Sequence, residues 1–342
     1  MITTWYASAR ARDWTTTPVT GRARKFHESL PGYDPTPLTS LPQIASELGA
    51  GQVLVKDESA RLGLAAFKVL GASWACHQVL KRRPGAHLVA ATDGNHGRAV
   101  ARMSARFGVR GTVFVPEVMR AETATLIENE GAEVVRTGGD YDHAVRAAAA
   151  HAAARADRAL VQDMAWRGYQ QVPAWIVEGY HTLLSEIDTQ LGRAPDLVAV
   201  PVGVGSLAQA VVTHYRRPGA PHPVVLAVEP DSAACLLASL QAGERTSVGT
   251  AGTIMAGLNC GTVSGAAWPV LRHGCDAAVA VSDQEARQAG ADLGRLGVSS
   301  GPSGAATLAG VRAVLAEPGR RAALGLRDDA LIVLLSTEGA RP

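Results

Sequence analysis

Short runs of consecutive apolar residues alternate along this chain with longer stretches whose apolar positions recur at helical spacing. The runs predict strands at residues 53–55, 87–91, 111–115, 133–137, 159–162, 197–201, 224–229, 277–281 and 331–335. The longer stretches predict helices at 68–80, 97–106, 121–129, 141–156, 176–191, 207–215 and 283–294. Strands that do not alternate apolar with polar residues are buried on both faces, and the intervening helices supply parallel crossovers. The pattern therefore predicts an α/β protein with mostly parallel sheets covered by helices. The alanine-rich stretch 143–156 reads as an exposed helix, because alanine with spaced arginines is a strong helix former.

A length of 342 residues suggests two domains. Hydrophobic residues make up 47% of the chain and the net charge is 33 − 31 = +2, which excludes intrinsic disorder. Basic residues are scattered, which argues against a nucleic-acid or membrane-surface partner. The opening MITTWYASARARDW lacks the apolar stretch of a signal peptide. The longest apolar run, 197–212, is interrupted by Pro201 and two glycines and reads as core, not as a membrane span. Cys76, Cys235, Cys260 and Cys275 form neither a disulfide framework nor a CxxC zinc pair, and no metal site is indicated. The spacing of Cys235 and Cys260 allows a bridge, with buried thiols the default. A cytoplasmic globular protein is expected.

In sheets of this kind the chemistry gathers at the carboxyl ends of the strands. After the first strand, Lys68 sits between Phe67 and Val69 in a segment with little other charge. It reads either as a lysine snorkelling to water or as a desolvated amine suited to imine formation. After the second strand come Thr92, Asp93, Gly94, Asn95, His96 and Gly97 at a helix start, where free backbone N–H groups can hold an anion. An ordinary turn with a cap is the plain alternative, and His96 is expected to pack or cap. Asp163 ends the strand at 159–162 beside Trp166, as a partly desolvated acid or base or as a helix cap. Gly203, Val204, Gly205, Ser206 and Leu207 follow the strand at 197–201 and could cradle a phosphate. Gly203, Gly205 and Ala208 also fit GxGxxA, with Glu229 at the spacing of a ribose-binding acid. That second fit keeps a nicotinamide oxidoreductase open, and a non-catalytic small-molecule sensor is a third reading.

Jointly, an imine lysine, an Asn turn, a neutral glycine-rich cup and Ser336 after the last strand match the contact points of pyridoxal 5′-phosphate. A nicotinamide enzyme has no use for the lysine, the Asn turn or the serine. The segments FHESLPGY from Phe26, VKDES from Val55, AFKVLG from Ala66, TDGNHG from Thr92, QDMAW from Gln162, GVGS from Gly203 and STEG from Ser336 cover most of the chain in order. On them the sequence resembles the fold-type II pyridoxal-phosphate enzymes and, among these, the diaminopropionate ammonia-lyases. The resemblance implies a large domain of residues 1–71 and 171–342, a small domain of 72–170, and the cofactor in the cleft between them.

Carried over residue by residue, the resemblance makes Lys68 the cofactor-bound lysine. Asn95 contacts the cofactor's phenolic oxygen, residues 203–207 its phosphate, and Ser336 its pyridine nitrogen. Thr92, Asp93, Gly94 and Asp163 meet the amino-acid substrate, with Asp93 and Asp163 flanking Cα. The implied reaction is α,β-elimination of ammonia from 2,3-diaminopropionate by a homodimer. Leu62, Ala65 and Pro302 stand where the family has an aromatic residue, Asn and Glu. These departures keep open elimination or replacement on another β-substituted amino acid.

Overall fold

The computed structural model describes residues 4–17, 20–92 and 94–340. Its strands are β1 (Trp5–Ala7), β2 (Leu38–Ser40), β3 (Gln52–Asp57), β4 (His87–Ala91), β5 (Gly111–Val115), β6 (Glu133–Arg136), β7 (Arg158–Leu160), β8 (Leu197–Pro201), β9 (Val224–Pro230), β10 (Ala277–Val281) and β11 (Leu331–Ser336). They form two sheets, in the orders β1-β10-β9-β8-β11-β3-β2 and β6-β5-β4-β7. Among the described strands only β1 and β2 pair antiparallel, each at an edge of the larger sheet. Both escape the hydrophobic pattern because they are three residues long and half-buried, held by edge pairing rather than by an apolar run. By contrast β4, β5, β8, β9 and β11 are buried at every position, as non-alternating parallel strands should be.

The chain divides into two compact units. One comprises Met1–Gly21, Gly32–Phe67 and His181–Pro342, and carries the seven-stranded sheet; the other comprises Arg22–Pro31 and Lys68–Tyr180. These boundaries differ from those read in the sequence. Arg22–Pro31 belongs with the smaller unit because His27 bonds the Leu70 carbonyl and Ser73 Oγ, while Phe26 stacks on His77. Residues 68–71 and 171–180 fall in the same unit. There Gly71 and Gly179 let the helices Lys68–Arg82 and Gln171–Leu191 meet closely: a Cβ at Gly179 would lie 2.4 Å from the Leu70 carbonyl oxygen.

One helix corrects the sequence reading. Tyr141–Ala153 is not simply exposed, for it buries Ala144, Val145, Ala148 and Ala152 against Val89, Ala91 and Phe114. Alanines on that face admit close approach to the sheet, and Asp140 caps the helix by accepting from His143 N at 2.8 Å. Among the described residues no helix is long and apolar enough to cross a membrane.

Candidate active site

In the smaller unit Lys68 opens its helix, and its ammonium donates to Asp163 Oδ2 at 2.7 Å. The lysine side chain is 23% exposed and that of the aspartate 7%. Burial alone would raise the Asp163 pKa. The charge of Lys68 and its hydrogen bond outweigh it and hold the carboxyl below the usual carboxylate range. Asp163 is no helix cap, since the next helix begins at Gln171. Its position is set by its neighbours. Tyr169 donates to the Leu160 carbonyl at 3.0 Å and accepts from Gln162 N at 2.8 Å. The Gln162 side chain accepts from Ala91 N at 3.0 Å and donates to Tyr141 at 2.9 Å. These bonds end β7 at Leu160, two residues before its expected end, and carry the chain out to Asp163.

His96 packs beside this pair. Its Nε2 donates to the Val161 carbonyl at 2.8 Å, and Nδ1 has no hydrogen-bond partner among the described residues. Burial lowers its pKa more than Asp163 raises it, so the ring is neutral at pH 7. In the turn after β4, Thr92 Oγ1 accepts from Gly94 N at 2.9 Å, and Asn95 begins the helix Asn95–Arg106. A Cβ at Gly97 would lie 2.3 Å from Thr92 Cγ2, so the glycine lets helix and turn close together. Asp93 lies outside the described residues. The structure thus brings Lys68 and Asp163 together, with Thr92, Gly94 and Asn95 in the turn of the neighbouring strand β4.

In the larger unit the residues Gly203, Val204, Gly205, Ser206 and Leu207 join β8 to the helix Ser206–Tyr215. Gly205 adopts φ +94°, a left-handed conformation that favours glycine. A Cβ at Gly203 would lie 2.8 Å from the Gly257 carbonyl oxygen and 3.2 Å from Cys260 Sγ. The first-turn N–H groups of this helix have no intrahelical acceptor, so the loop is a neutral backbone cup for an anion. At the end of β11, next to β8, Ser336 Oγ donates to Ser300 Oγ at 2.8 Å. A Cβ at Gly304 would lie 3.0 Å from Ser336 Oγ, and the buried Ser303 Oγ has no partner among the described residues. A backbone cradle that side chains would fill and a group of buried hydroxyls fit the phosphate and the ring nitrogen of pyridoxal phosphate.

The nicotinamide reading fails at Glu229. That residue is fully buried, and its carboxylate accepts from Leu236 N and Leu237 N, each at 2.7 Å, at the start of the helix Cys235–Ala242. It therefore serves the helix and offers nothing to a ribose. No disulfide joins any of the four cysteines; Cys235 Sγ donates to the Gly203 carbonyl at 3.8 Å.

A buried charge network in the larger unit escapes the sequence reading. Arg61 is fully buried and donates to Glu58 and Glu186, at distances of 2.6 to 2.9 Å. Lys56 donates to Glu186 at 2.6 Å, and Tyr33 does so at 2.7 Å. The signal was present in Lys56, Glu58 and Arg61 flanking a strand end, but their partner Glu186 is 125 residues further on than Arg61.

A family model described as pyridoxal-phosphate dependent enzyme matches residues 30–337. The diaminopropionate ammonia-lyase of Escherichia coli K12 is 36% identical over 93% of this chain and 87% of its own length. A crystal structure of the Escherichia coli enzyme, in complex with an aminoacrylate-PLP azomethine reaction intermediate, superposes with a TM-score of 0.87 at 33% identity, covering 98% of this chain and 94% of that one. A second, in complex with D-serine, gives 0.85 at 32% identity, covering 98% and 90%.

Proposed function

This chain belongs to the pyridoxal-phosphate dependent enzyme family, with the fold-type II architecture, and on that footing we propose that it eliminates ammonia from 2,3-diaminopropionate. The observation that carries the reading is the Lys68–Asp163 pair, set at a strand end in a chain similar over nearly its whole length to diaminopropionate ammonia-lyases. Bound pyridoxal phosphate supplies an electron sink for the carbanion formed when Cα loses its proton.

The roles of the chain's own residues follow from their chemistry. Lys68 would hold the cofactor through its aldehyde carbon, and its free amine would take a proton at the substrate Cα. Asp163 keeps its negative charge at working pH, so it attracts the β-ammonium or accepts the Cα proton from the other face. Asp93 serves the enantiomer of opposite configuration, and Thr92 and Gly94 orient the substrate carboxylate. Asn95 bonds the cofactor's phenolic oxygen, and the backbone from Gly203 to Leu207 holds its phosphate. Ser336, a neutral hydroxyl already donating to Ser300, leaves the pyridine nitrogen without a carboxylate partner. That favours prompt loss of the β-group over long carbanion lifetimes.

The four thiols outside any disulfide support a cytoplasmic setting, and the family resemblance supports a homodimer of two 35.5 kDa chains, which sizing in solution checks. The division into a large cofactor-binding domain and a small domain is part of the same proposal. Pyruvate and ammonia are assayed from D- and L-2,3-diaminopropionate and from O-activated serine. Turnover of both diaminopropionates is expected. Turnover of the activated serine alone would move the function to another β-eliminating enzyme, a reading that Leu62, Ala65 and Pro302 favour.

A further inference from the structure

A cavity of about 400 Å³ opens in the larger unit at the amino ends of β8, β9 and β11, whereas the anion cup lies at the carboxyl end of β8. Three loops entering adjacent parallel strands build it, together with Arg12 from the amino-terminal segment. Asp196 ties the three strands together: its carbonyl accepts from Val224 N at 2.9 Å and its Oδ2 from Leu331 N at 2.8 Å. That leaves Oδ1 as the carboxylate's second acceptor. Arg12 spends Nε on Asp276 at 3.1 Å, and Nη1 reaches Gly325, 4.0 Å from where that residue's Cβ would be. Arg327 enters from the same loop as Gly325, with a 75% exposed side chain whose Nε and Nη2 donate to Asp329 at 2.9 and 3.2 Å, which leaves Nη1 for a ligand. His222 donates from Nδ1 to the Arg12 carbonyl at 2.5 Å, which fixes the ring at the cavity wall. The walls between these groups include Pro195 and Pro221.

The cavity therefore carries two opposed chemistries. The guanidinium N–H groups left on Arg12 and Arg327 suit a carboxylate, while the second carboxylate oxygen of Asp196 suits an ammonium. A simple anion would be repelled by Asp196 and a simple cation by the arginines. We propose that this cavity binds a zwitterionic amino acid with an apolar side chain, its carboxylate on Arg12 and Arg327 and its ammonium on Asp196. The prolines meet the side chain, and the volume accommodates any of the proteinogenic aliphatic ones. The site lies on the opposite edge of the sheet from the anion cup and takes no part in the reaction.

The test is calorimetric titration of the holoenzyme with L-leucine while the visible absorption band of the cofactor is followed. Binding without change of the band is expected. Arg327→Gln and Asp196→Asn should each weaken it about tenfold, the loss of one charged hydrogen bond, with basal turnover unchanged. Asp196→Asn keeps an acceptor for Leu331 N, so the fold survives it. Absence of binding at millimolar L-leucine would overturn the proposal, as would a band that shifts in step with binding or affinity that is unchanged in either variant. Inorganic phosphate that binds, and is lost in Arg327→Gln but not in Asp196→Asn, would make this an anion site and overturn it equally.

Discussion

Two ion pairs of the same length do opposite work in this molecule. Arg61 meets Glu186 at 2.7 Å with both side chains fully buried, and Lys68 meets Asp163 at 2.7 Å with the lysine partly open to solvent. Around Arg61 two carboxylates face two cations, Arg61 and Lys56, and Tyr33, Thr36 and Gln190 add further hydrogen bonds. Charges so enclosed cannot exchange partners without leaving another charge bare in the interior. Lys68, at a helix start with a reachable amine, can leave Asp163 and bond something else. Distance alone does not separate a scaffold from a reactive pair; burial and the number of competing partners do.

The largest effect expected from breaking this contrast lies in the second pair. Asp163→Asn preserves shape but removes the base and the charge, and should lower kcat/KM for diaminopropionate by about 10²–10⁴-fold. O-activated serine, whose leaving group carries no cation, should lose less. Thermal melting of the same variant should move less than that of Arg61→Met, because Lys68 keeps access to solvent when its partner is neutral. Uniform loss over all substrates with a large drop in stability would put Asp163 in the scaffold instead.

Next in size is Arg61→Met. It strands Glu58 and Glu186 in the interior and should cost about 3–5 kcal/mol in urea unfolding. A loss near zero would mean that the network is relaxed by water and that the contrast is false.

Glu229 offers a third kind of buried charge, held by the backbone N–H groups of Leu236 and Leu237 and by the Cys235 thiol, with no cation beside it. Burial pushes its pKa up to about 7, against the lowering by Leu236 N and Leu237 N. A carboxyl whose folded pKa lies above its unfolded value binds more protons in the native state. Stability therefore falls as pH rises from about 4.5 to about 7, by roughly 3 kcal/mol, and is level above that. Glu229→Gln should remove this slope, read from unfolding free energies across the window. A smaller effect is expected at Leu62, the one described non-glycine residue with positive φ, at +50°. With Gly63 it forms a tight turn closed by mutual Arg61–Leu64 backbone bonds of 2.8 and 2.9 Å. Leu62→Asn suits such a turn and should stabilise the protein by about 0.5–1 kcal/mol.

The two pairs also differ in how legible they are. Lys68 and Asp163 stand out because each charged residue ends or follows an apolar run, so a pattern of 2 to 5 residues suffices to find them. The sheet was legible for the same reason: β4, β5, β8 and β10 have the expected bounds. The Arg61 network was not, because a buried charge declares itself through distant partners and Glu186 lies in a helix whose local pattern is merely amphipathic. Glu229 misled for a related reason. Its spacing from Gly203 suits a ribose acid, yet its orientation is decided by the helix it caps. Short edge strands and the short helices such as Pro42–Leu48 and Trp268–Gly274 carry too few positions for a period to show. The inward face of Tyr141–Ala153 was hidden because alanine reads alike inside and out.

The account rests on Lys68 being the residue that bonds pyridoxal phosphate. The direct measurement is borohydride reduction of the purified holoenzyme, followed by peptide mass mapping, alongside Lys68→Ala. The account predicts a visible imine band that is lost on reduction, with the pyridoxyl label on the peptide containing Lys68. It also predicts a folded Lys68→Ala protein with neither band nor turnover. A label on another lysine, or near-normal turnover by Lys68→Ala without added amine, would contradict it.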